Sequence, residues 1–450
     1  MPEPFLKYSM ETVKQWLANC NANEPLEPYD PRYVDLESFK INNQTVDLRS
    51  DLGIGAIADS ITFSTDTTCQ LFSGYTGTGK TTELKRLKKR LEDQSYTVLM
   101  ADAGKYHDLA HALEIEDLVI MLAAAVGDSC AKLPGEELIT ENYWDRFKRF
   151  MNNKLHLDQA TMKHLNSVKA SIRNGQAPVW LEVRRFLSTS LDALKKDAHE
   201  YIKNCFDLVR GGKGKPIVFI FDSLEKLNGT LDDFDKIMGN TKIIFQQHHD
   251  FLRLPGCHMV YTVPPYLGLA GPDLSHFYDR KPQILPAIKV LDRHSEDLMP
   301  YGEGVEALKK VLQKRIPIHE IFEGRTDLLN KMVMFSGGHV RMLISMMREL
   351  LLVNAKKEFP PSEETVKKVI ASFTEDAVKP IRPEGVPLLA EIHKTKSVEG
   401  VTQSQLPILA QYMNNFMAPC YRNGDGWYEI HPLIWENIHR RARKLEETPQ

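Results

Sequence analysis

The stretch Gly74-Tyr75-Thr76-Gly77-Thr78-Gly79-Lys80-Thr81 decides the fold class of this 450-residue chain. It fits the pattern G-x-x-x-x-G-K-[ST], in which glycines let the backbone wind until successive N–H groups point at phosphate oxygens. Typical residue frequencies give about one accidental match in a hundred chains of this length. We therefore interpret Gly74–Thr82 as a phosphate-binding loop rather than a glycine-rich turn with a chance Lys-Thr. Lys80 should reach the β- and γ-phosphates, and the Thr81 hydroxyl should hold Mg²⁺.

The residues around the loop predict the strand and helix that such a loop requires. Cys69–Ser73 reads as a short strand, and leucines recur at helical spacing from Leu84 to Leu91. Because strands alternate with helices, the sequence predicts an α/β fold with a parallel sheet and crossover connections. The further predicted strands are Tyr96–Ala101, Ile217–Phe221, Met259–Val263 and, more weakly, Ala287–Leu291.

A long helical pattern interrupts this alternation between residues 105 and 210, and we predict a helical insertion there. Residues 146–175 are strongly basic, with Asp158 as their one acidic residue. The basic residues are Arg146, Lys148, Arg149, Lys154, Lys163, Lys169 and Arg173. Nothing in nucleotide chemistry requires this insertion, so it is our expected seat of partner specificity.

A carboxylate should stand near the metal of a phosphate-binding loop, at the tip of a buried strand. Ile217-Val218-Phe219-Ile220-Phe221-Asp222 supplies five apolar β-formers followed by a charge. A charge there is costly unless it faces a cation, so Asp222 is the predicted metal ligand. The alternative is an Asp that caps the next helix.

Composition excludes several classes of protein. The chain has 57 Lys and Arg against 60 Asp and Glu, a net charge of −3, which argues against coating nucleic acid by bulk electrostatics. Six cysteines without a C-x-x-C pair make a zinc site or disulfide framework unexpected. The longest apolar run, Leu118–Val126, is too short to span a bilayer. We expect a cytoplasmic protein without membrane contact.

With these motifs in order, roughly residues 30 to 350 resemble the AAA+ ATPases and the related STAND NTPases. The resemblance implies ATP and Mg²⁺ as ligands. It also implies a core at 46–104 and 211–295, an insertion at 105–210 and a helical lid at 296–358, after an N-terminal extension at 1–45. An apolar adenine pocket is implied upstream of the loop, where Leu52–Ile57 fits in composition; core packing explains the same residues.

The same resemblance assigns roles to four further residues. Ser223 stands where these families commonly have a catalytic acid, so Glu225 becomes the substitute base, or else a surface carboxylate. Thr262, at the end of the strand at 259–263, matches sensor 1, although Thr is also ordinary β-strand packing. Arg280 matches an arginine finger that acts on a neighbouring subunit, and Arg341 after Ser336-Gly337-Gly338 matches sensor 2. Alternatively, Arg280 is a solvated surface arginine, and Arg341 forms an ion pair between helices.

The C-terminal part, 359–450, reads as a Pro-bearing linker with a short helix followed by a unit that looks like a winged helix. Its Asn423-Gly424-Asp425-Gly426 predicts a hairpin turn. Such units bind DNA in origin-recognition ATPases and pack on the ATPase core in STAND proteins. The basic tail Arg440–Lys444 could contact phosphates or form the cationic end of a solvated helix.

Three functions follow from these expectations. The first is an ATPase that forms homo-oligomers on binding ATP and controls a separate partner protein, a type common in bacterial conflict systems such as phage defence. The second is a DNA-binding AAA+ loader or initiator, which rests on the winged-helix-like unit, the basic insertion and the basic tail. The third is an ATP-gated switch that hardly hydrolyses, motivated by Ser223.

Overall fold

A computed structural model describes the chain at residues 8–49, 53–133, 142–155, 178–211, 214–229, 231–269, 274–293, 299–356, 359–423 and 425–447. Its strands are β1 (Phe39–Ile41), β2 (Gln44–Val46), β3 (Cys69–Gly74), β4 (Thr97–Asp102), β5 (Ile217–Asp222), β6 (His258–Val263), β7 (Gln283–Leu285), β8 (Cys420–Asn423) and β9 (Asp425–Tyr428). Five of them form one sheet in the order β4-β5-β6-β3-β7, which confirms the predicted α/β class.

The chain divides into two compact units. Unit 1 comprises Met1–Gly53, Gly74–Lys85 and Leu285–Gln450. Unit 2 comprises Ile54–Ser73 and Arg86–Ile284. Apart from Gly74 and Leu285, the residues of the five-stranded sheet belong to unit 2.

Burial on both faces explains why the central strands of unit 2 are continuously apolar. Every residue of β3, β5 and β6 is buried, as expected for parallel strands covered by helices. The pairs β4–β5, β5–β6 and β3–β6 are parallel. In this register Asp102 lies opposite Asp222, and Phe221 lies opposite Tyr261. The carboxyl ends of β4, β5 and β6 therefore share one edge of the sheet.

The insertion of unit 2 is helical in its described part, as predicted. The helices of this half of the chain are α1 (Met10–Asn19), α2 (Ile54–Thr62), α3 (Lys80–Asp93), α4 (Ile115–Cys130), α5 (Tyr143–Leu155), α6 (Pro178–Thr189), α7 (Leu191–Arg210), α8 (Leu231–Gln247) and α9 (His249–Leu252). Nearly all of α4 is buried, which explains the apolar run at 118–126 as a core helix. It packs against α5, α6, α7 and β4.

A buried polar network joins two helices of the insertion. Asp117 on α4 is fully buried and accepts hydrogen bonds from Trp180 Nε1 at 2.9 Å and from Arg184 Nη2 at 2.8 Å, both on α6. It also accepts from the Glu114 backbone N–H and so completes the cap of its own helix. Asp117 is thus the counter-ion of a guanidinium whose side chain is only 14% exposed.

Unit 1 contains a second core, built mainly by the helices from residue 302 onward. These helices are α10 (Gly302–Gln313), α11 (Ile318–Ile321), α12 (Thr326–Phe335), α13 (Val340–Asn354), α14 (Glu363–Val378), α15 (Val386–Thr395), α16 (Leu406–Asn414) and α17 (Trp435–Glu447). Gly337 and Gly338 have positive φ values of 59° and 78° and separate α12 from α13, as their sequence predicts. The antiparallel pair β8–β9 confirms the predicted hairpin strands.

Two local expectations differ from the structure. The predicted strand at Ala287–Leu291 is wrong, because the strand lies at Gln283–Leu285 and Pro286 ends it. Ala287 and Leu291 make only isolated bridges, to Tyr421 and Pro300. The short helix expected after residue 359 is the 16-residue α14, whose Val366 and Val369 lie in the core of unit 1.

Much of the predicted basic stretch lies outside the described residues, including Lys163, Lys169 and Arg173. In the described part, Arg146 forms an ion pair with Asp197 at 2.8 Å, and Lys148 lies 3.5 Å from Asp145. These two charges are therefore balanced inside the insertion. In the described ranges, no helix is both long enough and apolar enough to cross a membrane.

We predict that Asp117→Ala lowers the free energy of unfolding by about 3 kcal/mol, because it leaves a buried guanidinium without its counter-ion. Urea denaturation, followed by circular dichroism, measures the change. The control is Asp192→Ala on the exposed first turn of α7, expected to change stability by less than about 0.5 kcal/mol. Equal effects of the two substitutions would contradict the role given to Asp117.

Candidate nucleotide-binding site

The loop between β3 and α3 has the backbone conformation that its glycines permit. Gly74, Gly77 and Gly79 have φ values of 151°, 87° and 102°, a region that residues with a side chain rarely adopt. A Cβ atom on Gly77 would lie 2.5 Å from His339 Cε1, so even an alanine would not fit without movement. Lys80 is the first residue of α3. The loop therefore feeds directly into a helix N-terminus.

The Lys80 ammonium is bound to the loop itself in this structure. Its Nζ donates to the carbonyl of Gly74 at 2.8 Å and to that of Tyr75 at 2.7 Å. Lys80 is only 3% exposed. Its side chain thus already folds back over the loop, where a phosphate group would otherwise accept its hydrogen bonds.

The helix α13 supplies donors to the next two carbonyls. His339, which caps α13, donates from Nε2 to the carbonyl of Thr76 at 2.7 Å. Its Nδ1 accepts from the Met342 backbone, which fixes the ring tautomer. The Arg341 backbone N–H donates to the carbonyl of Gly77 at 3.2 Å. His339 did not figure in the sequence prediction; its only signal there is its place one residue before a helix that follows two glycines.

The last carbonyl before Gly79 is held by a residue that the sequence did not single out. Arg49 Nη2 donates to the carbonyl of Thr78 at 2.8 Å. Together with the contacts of Lys80 and α13, this means that the carbonyls of residues 74–78 are all bound by donors of the protein. A loop whose carbonyls are held in this way can present its amides to an anion.

Tyr75 lies in the predicted phosphate-binding loop, but its side chain serves the packing of unit 1. The ring is fully buried and meets Phe416 edge to face, with centroids 5.1 Å apart. Its hydroxyl oxygen accepts a hydrogen bond from the Cys420 backbone N–H at 2.6 Å. Only the Tyr75 backbone is left for a ligand.

The two threonines after Lys80 are partly exposed. Thr82 Oγ1 accepts from the Leu26 backbone N–H at 3.1 Å, so the proline-punctuated segment 24–31 runs beside the first turn of α3. Thr81 stands at the position where the loop pattern places a magnesium ligand. A hydroxyl oxygen suits a hard cation of this kind.

Three of the predicted catalytic residues, Asp222, Glu225 and Thr262, lie at the carboxyl edge of the sheet in unit 2. Asp222 is 3% exposed, and its Oδ1 accepts from the Ser223 N–H at 2.7 Å. Ser223 has a left-handed φ of 80°, which turns the chain sharply into a 3₁₀ turn at Leu224–Lys226. Glu225 on that turn is 2% exposed, so it is not the surface carboxylate of the alternative interpretation.

Thr262 fastens this turn to the neighbouring strand. Its hydroxyl oxygen accepts from the Leu224 backbone N–H at 3.1 Å, and the residue is fully buried. A hydroxyl that accepts one bond keeps its own proton to donate. Thr262 therefore does more than fill space in β6, because it positions the segment that carries Asp222 and Glu225.

The predicted arginines are each engaged by their own unit. Arg280 Nη1 donates to the carbonyl of Ala56 at 2.9 Å in unit 2. Arg341 Nε donates to the carbonyl of Ala22 at 3.4 Å in unit 1. Ile54 and Ile57, from the segment considered for an adenine pocket, are buried on α2, and Leu52 lies outside the described residues.

Two buried histidines flank Phe416 in unit 1. The ring centroids of His339 and His431 lie 4.4 and 5.6 Å from that of Phe416. His431 Nε2 lies 3.1 Å from the carbonyl of Ser336. Burial lowers the pKa of His339 to about 3 and that of His431 to about 4. Both rings are therefore neutral at pH 7, and a neutral His339 is what lets Nδ1 accept from the Met342 N–H while Nε2 donates to the loop.

No protein-family model and no curated protein matches this chain. Among solved structures, a Walker-type ATPase of Pyrococcus abyssi is similar over 91% of this chain and 99% of its own, with 13% identity and a TM-score of 0.38. The ORC2 protein of Aeropyrum pernix in its ADP form is similar over 95% of this chain and 97% of its own, with 11% identity and a TM-score of 0.40. Its ADPNP–ADP complexes match with 11% identity over 88% of this chain and 93% of their own, at a TM-score of 0.38. These values are too low to assign the chain to a family.

We predict that the protein loses stability as the pH falls below about 6.5. In this range the histidines of the unfolded chain bind protons, whereas the buried rings of His339 and His431 in the folded protein stay neutral. Each ring contributes up to about 1.4 kcal/mol per pH unit until its folded pKa is reached. His339→Asn, which keeps a capping oxygen, should remove one such contribution between pH 6.5 and 5. The measurement is the free energy of unfolding as a function of pH.

The exposed His276 provides the control for this experiment. His276→Asn should leave the pH dependence unchanged. The same slope in the His339→Asn variant as in the unmodified protein would show that His339 is not a neutral buried ring.

Proposed function

We propose that this protein binds ATP with Mg²⁺ at Gly74–Thr82 and hydrolyses it, as an ATPase of the AAA+ and STAND kind. The observation that carries the proposal is the loop itself, whose three glycines adopt positive φ and whose carbonyls are held by Lys80, His339, Arg341 and Arg49. A loop of this sequence that opens a helix is an anion-binding device. The buried positive charge of Lys80 adds to it.

For the metal, we propose the Thr81 hydroxyl and the Asp222 carboxylate as ligands. The donor set fits, since Mg²⁺ prefers oxygen and usually takes one or two protein ligands together with phosphate oxygens and water. Held by these residues, Mg²⁺ would supply positive charge that offsets the negative charge of the phosphates during hydrolysis. We propose Glu225 as the group that orients the attacking water, because its carboxylate is buried rather than solvated and sits on the turn after Asp222.

We further propose that ATP binding assembles copies of the chain and so controls a separate partner protein. In this proposal Arg280 acts on the nucleotide of a neighbouring copy, and Arg341 links the start of α13 to the nucleotide state. The Arg341 backbone contact with Gly77 supports the second role, because any movement of α13 must change the loop. Arg280 would have to leave the Ala56 carbonyl to act on a neighbour. The conflict-system context rests on the family resemblance alone.

DNA binding is the alternative function that a specific observation favours. Arg440, Arg443 and Lys444 are exposed on α17, whereas Arg441 donates to the carbonyl of Ile381. Three exposed cations on one helix of the winged-helix-like unit could contact phosphates. Failure to bind duplex DNA in low salt, with and without ATP, would eliminate this alternative.

We expect Lys80→Ala to reduce Mg²⁺-dependent ATP hydrolysis at least about 100-fold, since it removes a cation from the transferred phosphate. Hydrolysis per molecule should be measured over a range of protein concentrations. Activity per molecule that climbs with concentration would place catalytic groups across a subunit interface, as proposed for Arg280. The control is Lys85→Ala on the same helix, whose ammonium pairs with Glu27.

Unchanged hydrolysis in the Lys80→Ala protein would refute the ATPase proposal. If the unmodified protein retains bound nucleotide but turns over negligibly, the protein is an ATP-gated switch rather than an active hydrolase. Turnover above about 1 per second would exclude the switch.

We expect Glu225→Gln to slow hydrolysis about 10²-fold or more while ATP still binds, because the amide keeps the shape of the side chain but cannot accept a proton. Single-turnover hydrolysis and equilibrium binding of a fluorescent ATP analogue separate the two effects. Asp233→Asn is the control: it changes an exposed carboxylate of the following helix. Full activity of the Glu225→Gln variant would show that Glu225 does not orient the attacking water.

A further inference from the structure

Arg49 is a buried arginine held beside the loop in unit 1. It is 2% exposed, and its backbone N–H donates to Asp47 Oδ1 at 2.8 Å in a local turn that follows β2. Its Nη2 donates to the carbonyl of Thr78. The same nitrogen is the nearest atom to the site of a Cβ on Gly79, at 3.7 Å. The guanidinium therefore lies against the two residues that precede Lys80.

The rest of the Arg49 guanidinium lacks partners. Among the described residues, Nε and Nη1 are buried without a hydrogen-bond acceptor. No ion pair to Arg49 is formed among these residues either. A guanidinium carries five N–H donors, and leaving charged donors buried and unpaired is costly. The unpaired donors are explained if the protein has another state in which an anion accepts hydrogen bonds from them.

Arg315, a second buried arginine of unit 1, shows the ordinary arrangement. It is 8% exposed, and its Nη1 donates to the carbonyls of Arg32 at 3.2 Å and Val311 at 2.7 Å. None of its nitrogens is buried without an acceptor. Burial alone therefore does not account for the unpaired donors of Arg49, and its position beside the loop distinguishes it.

We propose that Arg49 binds phosphate oxygens of the nucleotide held by the loop, through the nitrogens that have no acceptor in this structure. The inference rests on the proposed function and adds to it a binding residue from the segment upstream of the loop. A planar guanidinium fork matches the geometry of phosphate oxygens, and such charge-assisted bonds are among the strongest in proteins. One nitrogen holds the Thr78 carbonyl and two are left without an acceptor, so in this proposal Arg49 both shapes the loop and contacts what the loop binds.

The test uses the full chain with the substitutions Arg49→Gln, Arg49→Lys, Arg315→Lys and Lys80→Ala. Equilibrium affinity is measured with a fluorescent ATP analogue, with ATP, inorganic tripolyphosphate and adenosine as competitors. The melting temperature of each nucleotide-free variant reports folding. Arg49→Lys keeps a charge and one donor for Thr78 but loses the fork, so it remains informative if Arg49→Gln does not fold.

We expect Arg49→Gln to weaken ATP and tripolyphosphate about tenfold or more and by similar factors, with Arg49→Lys in between. Adenosine should be unaffected, and Arg315→Lys should leave all affinities unchanged. Binding of ATP within twofold of the unmodified protein by both Arg49 variants would overturn the inference. A loss for ATP without a loss for tripolyphosphate would also overturn it, since Arg49 would then not contact phosphate.

The same experiment separates this inference from the proposed function. If the unmodified protein and Lys80→Ala bind ATP equally, or neither binds it, the proposed function fails and the Arg49 inference fails with it. If Lys80→Ala abolishes binding while both Arg49 variants bind normally, only the Arg49 inference is wrong.

Discussion

The structure of unit 1 depends on how five successive carbonyl groups of one loop are satisfied. Buried backbone carbonyls need donors, and within the loop Thr78 donates to the carbonyl of Tyr75 from its backbone N–H and its hydroxyl. The other donors are a lysine from the following helix, a histidine and a backbone N–H from the start of α13, and an arginine from the segment before α2. Two parts of the chain that are distant in sequence, at Arg49 and at the start of α13, therefore help to hold the loop in shape.

The shape of the loop therefore depends on the protonation state of His339 and on the turn that precedes α13. His339 must be neutral to act as it does, and burial beside His431 and Phe416 keeps it so. Ile288 donates its backbone N–H to Gly338, and the Tyr421 hydroxyl donates to the carbonyl of Gly337, so the turn that starts α13 is itself tied down. A change at that turn reaches the loop through covalent neighbours and single hydrogen bonds.

The α/β class and the position of the central strands could be predicted from the sequence. A run such as Ile217–Phe221 indicates a buried strand, and a glycine-rich loop indicates a tight turn, from neighbouring residues alone. Roles that depend on distant contacts could not. Arg49 and His339 carry no motif, and their importance appears only when the chain brings them to Thr78 and Thr76. The error at Ala287–Leu291 has a similar origin. The residues favour a strand, but Pro286 removes a donor and the segment pairs with Gly338 and Tyr421 instead. The roles of Asp222, Glu225, Arg280 and Arg341 stay predictions.

The loop pattern leaves its second position open to any residue, yet in this chain Tyr75 is fully committed to the packing of unit 1. Its ring meets Phe416, and its hydroxyl receives the backbone N–H of Cys420, 345 residues away in sequence. A smaller residue at this position would leave a void between the loop and the C-terminal hairpin. Chains descended from the same ancestor should therefore change position 75 together with position 416, and that paired variation would trace this architecture through sequences too divergent to align by their loops alone.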